Sequence, residues 1–286
     1  MPVVAADVAA TPRGRAERPV RVEAVFFSLP SWAVALLVFA VVGGACVGGA
    51  LAGRYLRRHT DALREPIGVL QAALLGLVGL ILAFGLSLAV GRYESRRAAT
   101  VAEANAIGTT YLRAQLIAEP QRTASLALLR RYTDLALKVS DEVPGSDAMR
   151  RTNGAQLIVQ RQLWRLAGEA TARAPMDTAP RLYVDTLNDM IDQQTVRAAA
   201  LSNRVPGAVL TVEVLAAAIA VGLLALYLAV LGRGFLAVVV AAVLVTLFLL
   251  VTFDLDRPTR GLITVPATPL ESLRASMTLP PAASGP

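Results

Sequence analysis

The sequence predicts an all-α polytopic membrane protein with four transmembrane helices and a cytoplasmic helical bundle inserted between the second and third. Hydrophobic residues make up 55% of the 286 positions and charged residues only 17%, whereas soluble domains carry about 25% charge. The apolar residues fall into four blocks, each long enough to cross a bilayer. The polar region between the second and third blocks has apolar residues at helical spacing and no strand-like alternation.

The first apolar block covers 32–52 and follows an N-terminal segment, residues 1–31. As a helix the block measures about 31 Å, which is enough for the hydrocarbon core. Its glycines include the pairs Gly44–Gly48 and Gly49–Gly53, and this spacing lets a second helix approach closely. We therefore expect the first span to pack tightly on another span and to end in a basic turn around His59.

The second block, 67–90, continues into the polar region without a proline. Residues 91–118 are rich in Ala, Glu, Arg and Leu, which favour helix. The next break is Glu119-Pro120. The pattern predicts one long helix that starts in the membrane and ends well outside it.

The polar residues 92–205 predict a helical domain between two membrane pairs, 32–91 and 206–253. Apolar side chains recur at helical spacing within 128–139, 157–166 and 183–191, with breaks at Pro144-Gly145 and between Pro175 and Pro180. The third and fourth blocks, 208–231 and 235–253, are separated only by Gly-Arg-Gly, which predicts a tight helical hairpin. Residues 254–286 predict a polar turn and then, from about Thr278, a disordered tail rich in Pro, Ala and Ser.

The arginines that flank the spans predict the orientation. With the N-terminus inside, the inner side holds the arginines of 13–21, 92–97, 197–204 and 257–260, against those of 54–64 and 233 outside. We expect both termini and the helical domain in the cytoplasm, as in a multi-pass protein of the inner or plasma membrane. The basic turn between the first two spans is a signal in the opposite sense.

The inventory of reactive side chains excludes several classes of site. The only cysteine is Cys46 and the only histidine is His59, so an internal disulfide and a His/Cys metal set are ruled out. We predict no cofactor, no bound metal and no catalysis, with a hydrolase based on Asp185, Asp189 or Glu213 as a distant alternative. The basic residues are almost all arginine and do not form a nucleic-acid surface, so no nucleic-acid partner is expected.

Charged residues gather where the second and fourth spans end. Because both spans end on the same side, we expect the two sets of side chains to form an ion-pair cluster that joins the second helix to the rest of the subunit. The alternative for the arginines is a solvated helix anchored at lipid head groups, and for Asp254 a simple helix end. The cluster comprises Arg92, Glu94, Arg96, Arg97, Asp254, Asp256 and Arg257.

Two further features are polar side chains in unusual settings. The long helix carries Glu103, Asn105, Thr109 and Thr110 just beyond the membrane, where they suit polar contacts between helices or the lining of an aqueous path. Glu213 lies one to two turns inside the third span, and an intramembrane carboxylate is a functional candidate by default. Snorkelling of Glu213 to the interface is an equally good interpretation.

Several segments resemble the bestrophin-like family of bacterial membrane proteins. They are RYESRRAATVAEANAIGTTYLRAQLIAEP, the later LLRRYTDLAL, and DLDRPTRGLI with TPLESL. The resemblance covers about 32–273 and implies a homo-oligomeric, pentameric ion channel whose partners are the lipid bilayer, copies of the same chain and small inorganic ions. The acidic run that forms a calcium clasp in animal bestrophins is missing.

The resemblance also implies a pore lined by the second helix. Its face would include Leu77, Ile81, Phe84 and Ser87, with Phe84 the bulkiest, and Arg92 and Arg96 would form rings at the cytoplasmic mouth. A ring of apolar side chains can exclude water and so gate a pore. The alternative function is a non-conducting, membrane-anchored interaction module, which the lack of a filter motif or a broken helix favours.

Overall fold

The computed structural model describes residues 30–57, 64–259 and 261–283. Expectations for residues 1–29, His59, Arg260 and the last three positions lie outside this part of the chain. The described residues form helices without any strand. In chain order the helices are α1 (Ser31–Arg57), α2 (Arg64–Ala114), α3 (Gln121–Asp141), α4 (Asp147–Arg173), α5 (Thr178–Ser202), α6 (Gly207–Val230), α7 (Phe235–Leu255) and α8 (Thr268–Ser276).

Within the part of the chain that the structure describes, four helical stretches are long and apolar enough to cross a membrane, which confirms the predicted number of spans. They belong to α1, the first half of α2, α6 and α7. A small buried core holds these helices together, with Val38 on α1, Leu82 on α2, Val221 on α6 and Leu249 on α7. Most of the remaining apolar side chains in these helices are exposed on the single chain, as expected where lipid or further subunits cover them.

Glycine lets α1 and α6 pack in close contact. Gly49 lies directly on the backbone of Gly222, and Gly53 lies on the carbonyl of Leu226, so neither position has room for a Cβ. The first two glycines of the motif differ, since a Cβ at Gly44 or Gly48 would meet nothing within 4 Å. Only the second of the two predicted glycine pairs is therefore used for packing within the subunit.

Helix α2 is continuous over 51 residues, or about 75 Å. It ends at Ala114, a few residues before Glu119-Pro120. One side of its membrane half packs on α6 and α7, and the same side of its second half packs in the helical domain. This helix runs without a break from the membrane helices into the helical domain and so connects the two parts of the molecule.

The helical domain packs around large side chains from α3, α4 and α5. Leu129, Tyr132, Leu163, Tyr183 and Leu187 are all fully buried. They come from the three segments whose helical spacing was apparent in the sequence, and they enclose the second half of α2. The domain thus has its own core, separate from the core of the membrane helices.

The prediction for 254–286 missed α8. Leu270 and Met277, at the two ends of this short helix, are fully buried in the core of the helical domain. Tyr111 donates a hydrogen bond to the carbonyl of Met277 at 3.3 Å. The chain therefore returns from the membrane helices and closes the helical domain, where burial of Leu270 and Met277 stabilises this short helix.

Candidate functional site

One face of α2 has no partner within the subunit along almost its whole length. Its exposed positions recur every three or four residues, which keeps them on one side of a straight helix. We call this the exposed α2 face. It consists of Ala73, Leu77, Leu80, Phe84, Ser87, Gly91, Glu94, Ala98, Val101, Asn105, Thr109 and Leu112.

Three of the four predicted pore-lining residues belong to this face. Leu77 is 53% exposed and Phe84 is 63% exposed, and Ser87 is also exposed. Ile81 is only partly exposed and lies at the edge of the face. From Ala73 to Phe84 every residue of the face is apolar. From Ser87 onward, as α2 passes into the helical domain, polar side chains are added.

The opposite face of α2 holds Arg96, which is completely buried. Its guanidinium donates to the carbonyls of Leu255 at 3.0 Å, Asn203 at 2.7 Å and Ala200 at 3.3 Å. These carbonyls lie at the C-terminal ends of α5 and α7, where helices have no internal partner for their last carbonyls and carry partial negative charge. Arg96 therefore joins three helices at the level where the membrane helices meet the helical domain.

Asp256 completes this arrangement. Its Oδ1 lies 3.4 Å from Nη2 of Arg96 and accepts a hydrogen bond of 3.0 Å from the backbone N–H of Val205. Burial raises the pKa of Asp256, and the Val205 N–H and the Arg96 charge act in the opposite direction. The carboxylate thus ties the segment just before α6 directly to the end of α7, and its contact with Arg96 ties both to α2.

Asp254 and Arg257 are the other members of the predicted cluster near the end of α7, and Asp254 has no ion pair with Arg96 among the described contacts. Asp254 accepts hydrogen bonds from the backbone N–H groups of Leu262 at 3.0 Å and Ile263 at 2.8 Å. It therefore shapes the turn after α7 instead of pairing with an arginine of α2. Arg257 is buried beside Asp256.

The remaining charges of the predicted cluster lie near the surface. Arg92 donates a hydrogen bond to the side chain of Asn203, and Arg97 forms an exposed pair with Glu94 at 3.8 Å. The expectation that Arg96 forms part of a charged ring at a pore mouth is wrong, because a fully buried side chain cannot line an aqueous path. Glu94 is the charged residue on the exposed α2 face at this level.

Glu103 forms a second buried ion pair within the helical domain. Its Oε2 accepts from Nη1 of Arg197 at 2.6 Å, with both side chains almost fully buried. The same guanidinium donates to the carbonyl of Ala136 at 3.2 Å and to the hydroxyl of Ser140 at 2.6 Å. Burial, and next the charge of Glu103, raise the pKa of the neighbouring Tyr132.

The other polar residues of this stretch of α2 divide between two faces. Asn105 and Thr109 belong to the exposed α2 face. Thr110 is buried, and its hydroxyl oxygen lies 2.8 Å from the carbonyl oxygen of Ala106 and 2.9 Å from that of Thr186, so that the two carbonyls share its single donor. Thr110 therefore fastens α2 to α5, whereas Asn105 and Thr109 are available to another subunit or to an aqueous path.

Glu213 packs inward instead of reaching for the interface. It is 1% exposed, and its carboxylate lies directly against Gly85 of α2, where a Cβ would leave no room for it. Neither carboxylate oxygen has a hydrogen-bond partner among the described residues. An unpaired carboxylate at this depth is costly, and it touches the helix that carries the exposed α2 face.

The acidic residues do not assemble into a metal site within the part of the chain that the structure describes. Asp185 pairs with Arg113 at 3.4 Å, and Asp192 accepts a hydrogen bond from Asn188 at 3.2 Å. These contacts lie on the exposed surface of α5. They involve two of the three carboxylates of α5, which are Asp185, Asp189 and Asp192.

A family model described as the Bestrophin-like domain matches residues 34–270, which run from the first turn of α1 to the first turn of α8. The chain belongs to the Bestrophin-like family. No curated protein matches the chain. The family assignment confirms the resemblance seen in the RYESRR, EANAIGT and DLDRP segments.

Solved structures with the same fold include bacterial bestrophin homologues. A point mutant of a bacterial bestrophin homolog from Klebsiella pneumoniae aligns with a TM-score of 0.61 at 13% identity, covering 82% of this chain and 96% of that one. A second mutant of the Klebsiella pneumoniae homolog aligns with a TM-score of 0.59 at 15% identity, covering 84% and 96%. A crystal structure described only as a membrane protein gives 0.60 at 14% identity, covering 82% and 97%. At these identities the likeness establishes the bestrophin-like fold.

Sequence reasoning missed several residues of this bestrophin-like core. The partners of Arg96 on α5 and the partner of Glu103, Arg197, are about a hundred positions away in the chain, and no local pattern connects them. The contact between Glu213 and Gly85 is equally remote. Helix α8 did have a local signal, since Thr268, Pro269 and Glu271 form a typical helix start.

Proposed function

We propose that this bestrophin-like protein is a homo-oligomeric ion channel whose pore is lined by the exposed α2 face. The observation that carries the proposal is the continuity of this face, from apolar side chains within the membrane to polar ones in the helical domain. Contact with lipid would explain the exposure of the apolar part of the face, but it would not explain the exposure of the part in the helical domain. A straight face that crosses both environments fits a helix placed around a central axis.

Exposed apolar side chains outside the spans support self-association. Leu157, Ile158 and Trp164 on α4 are 57%, 60% and 47% exposed, although the helical domain is not in contact with lipid tails. Apolar groups clustered on a water-facing surface are typical of a protein interface. The resemblance to bestrophins implies that the assembly is a pentamer.

The chemistry of the face suggests how such a pore would work. A ring of Leu77, Leu80 and Phe84 side chains would form a constriction without charge, which gates by dewetting. Glu94 would contribute a ring of carboxylates at the membrane boundary, since Arg96 is buried on the other side of the helix. We therefore propose that the mouth favours cations.

The orientation belongs to the same proposal. We place the helical domain and both termini in the cytoplasm, and the protein in the inner or plasma membrane. The support is the excess of arginines on that side. The Glu94 ring would then lie at the cytoplasmic mouth of the pore.

Ion flux through purified protein in liposomes tests the channel. Phe84→Ala and Leu77→Ala should each raise the flux several-fold, because a smaller side chain widens and wets the constriction. Leu244→Ala is the matched control, since Leu244 is 61% exposed on α7 and outside the proposed pore. The mass of the assembly in detergent is measured on the same samples.

Selectivity tests the mouth separately. Glu94→Gln should lower the cation-to-anion permeability ratio while leaving the assembly mass unchanged. The channel proposal fails if the wild-type protein and the Phe84→Ala and Leu77→Ala variants all form intact oligomers and none of them conducts a small ion. A non-conducting interaction module then becomes the better description. An equal flux increase in Leu244→Ala would also count against a pore on α2.

A further inference from the structure

A groove of about 630 Å³ runs between α1 and α7, with α6 as its floor. It exists because small side chains line its middle, among them Gly43 and Ala50 of α1 and Ala242 of α7. Its walls are apolar, with Phe39 and Val243 among the exposed members. Its lining residues come from α1, α6, α7 and the turn between α6 and α7, and none of them belongs to the exposed α2 face.

The end of the groove away from the helical domain is basic. Arg54 and Arg57 extend from the last turn of α1, and Arg233 lies in the turn between α6 and α7. The guanidinium of Arg57 packs over Gly232, whose positive φ of 70° places this turn close to α1. Among the described residues, none of those that line the groove is acidic.

The groove also has the length of a lipid tail. From Arg233 to Thr246, the deepest lining residue on α7, the helix rises about 20 Å. That distance runs from the membrane boundary to a point beyond the middle of a hydrocarbon core about 30 Å thick. An apolar channel of this depth with cations only at its outer end matches an acyl chain attached to an anionic head group.

We propose that the groove between α1 and α7 binds an anionic phospholipid, with its phosphate at Arg54, Arg57 and Arg233 and one acyl chain along the apolar walls. Basic pockets between membrane helices are a recognised way to select such head groups. The proposal requires the membrane location of these helices but not ion conduction. It therefore stands or falls independently of the channel.

The test uses full-length protein in detergent, with dioleoyl phosphatidylglycerol, dioleoyl phosphatidylcholine and inorganic phosphate as separate probes. Native mass spectrometry counts the lipids retained by each subunit, and the melting temperature reports stabilisation. We expect phosphatidylglycerol to be retained and to raise the melting temperature, phosphatidylcholine to be retained far less, and phosphate alone to have no effect.

Two variants separate the phosphate end from the acyl channel. Arg54→Gln combined with Arg233→Gln should weaken retention of phosphatidylglycerol about 30-fold, at about fivefold for each arginine. Gly43→Leu should abolish retention by filling the channel, because a Cβ at Gly43 projects into open space.

Matched controls exist for both changes. Gly44→Leu adds the same side chain at a position that is equally open but outside the groove, and Arg165→Gln with Arg181→Gln removes two exposed charges from the helical domain. Both controls should retain the lipid as wild type does. Equal retention of the two lipids, or stabilisation by inorganic phosphate alone, would overturn the proposal. A loss of assembly mass in Gly43→Leu or the double arginine variant would show instead that a second copy of the chain occupies the groove.

Discussion

At the scale of single residues, Arg96 has the most consequential position. It is a fully buried cation that binds the C-terminal carbonyls of α5 and α7 and the carboxylate of Asp256. Burial of a charge is costly unless it is paired and hydrogen-bonded, and here the pairing comes from helix ends that would otherwise lack partners. The cost of burying Arg96 is therefore offset only in the correctly assembled subunit.

We predict that Arg96→Ala and Asp256→Ala each destabilise the protein by about 3–5 kcal/mol, because each leaves the other charge buried without its partner. The double variant should lose much less than the sum of the two, since both side chains act as one unit. Thermal unfolding in detergent measures the effect. Arg97→Ala is the control, because its pair with Glu94 is exposed and such pairs contribute little. Additive losses would show that Arg96 and Asp256 are not coupled.

The pair of Glu103 and Arg197 leads to a parallel prediction in the helical domain. Glu103→Met should cost about 3–5 kcal/mol because it leaves the guanidinium of Arg197 buried without its carboxylate. The double change to Met at both positions should recover most of that loss, since apolar groups of similar volume can replace a buried pair. Ser140 would retain a partner, because its hydroxyl donates to the carbonyl of Ala136.

Unfolding followed by fluorescence of the native tryptophans measures this pair of variants. Arg150→Met is the comparison, since Arg150 and Asp147 form an exposed pair on the first turn of α4 whose loss should change stability by less than about 0.5 kcal/mol. If the double variant is as unstable as the single one, the pair makes a net contribution that apolar packing cannot replace.

At the scale of elements, α2 and α1 pack in the membrane region in different ways. Helix α2 packs along one face in both halves of the molecule and leaves the opposite face free. Helix α1 instead makes a close, glycine-mediated contact with α6 through Gly49 and Gly53. Small residues allow this approach, and van der Waals contact between backbones then stabilises the pair.

We predict that Gly49→Leu disrupts the packing of α1 on α6, because its side chain would overlap the backbone of Gly222. Overpacking of this kind costs about 1–3 kcal/mol or more. Gly48→Leu introduces the same side chain one residue earlier, where a Cβ meets nothing within 4 Å, and should change the melting temperature little. Comparable losses in both variants would place the cause in helix formation instead of helix packing.

At the scale of the whole molecule, the membrane helices and the helical domain have separate cores that are joined by α2, the Arg96 cluster and the return of α8. The exposed α2 face and the apolar surface of α4 both remain without partners in one subunit. A closed oligomer would cover them, which agrees with the proposed channel.

The proposed orientation predicts opposite labelling of the two ends of the membrane helices. A reporter inserted near Gly145, between α3 and α4, should behave as cytoplasmic, and one inserted at Arg233, between α6 and α7, as external. The inserted positions lie in turns with positive-φ glycines, so the helices should tolerate them. The reverse labelling would overturn the orientation, and with it the placement of the Glu94 ring at the cytoplasmic mouth.

The sequence by itself determined the family, the four spans, the long second helix and the three core segments of the helical domain. These features follow from hydropathy and from apolar spacing within single helices, both of which are local. The predicted topology also placed Arg96 and Asp256 in one cluster, because the second and fourth spans end on the same side of the membrane. It missed α8 although Thr268 and Pro269 mark a helix start.

Only the tertiary structure decided which way each polar side chain points and what it contacts. Arg96 and Arg97 are neighbours in the chain, yet one is fully buried and the other is exposed, because adjacent residues project about 100° apart on a helix and only one of those directions meets α5 and α7. Packing between helices likewise places the Glu213 carboxylate against Gly85 and pairs Glu103 with Arg197. Contacts across 94 to 160 positions of the chain depend on how helices are placed in space, which no local pattern encodes.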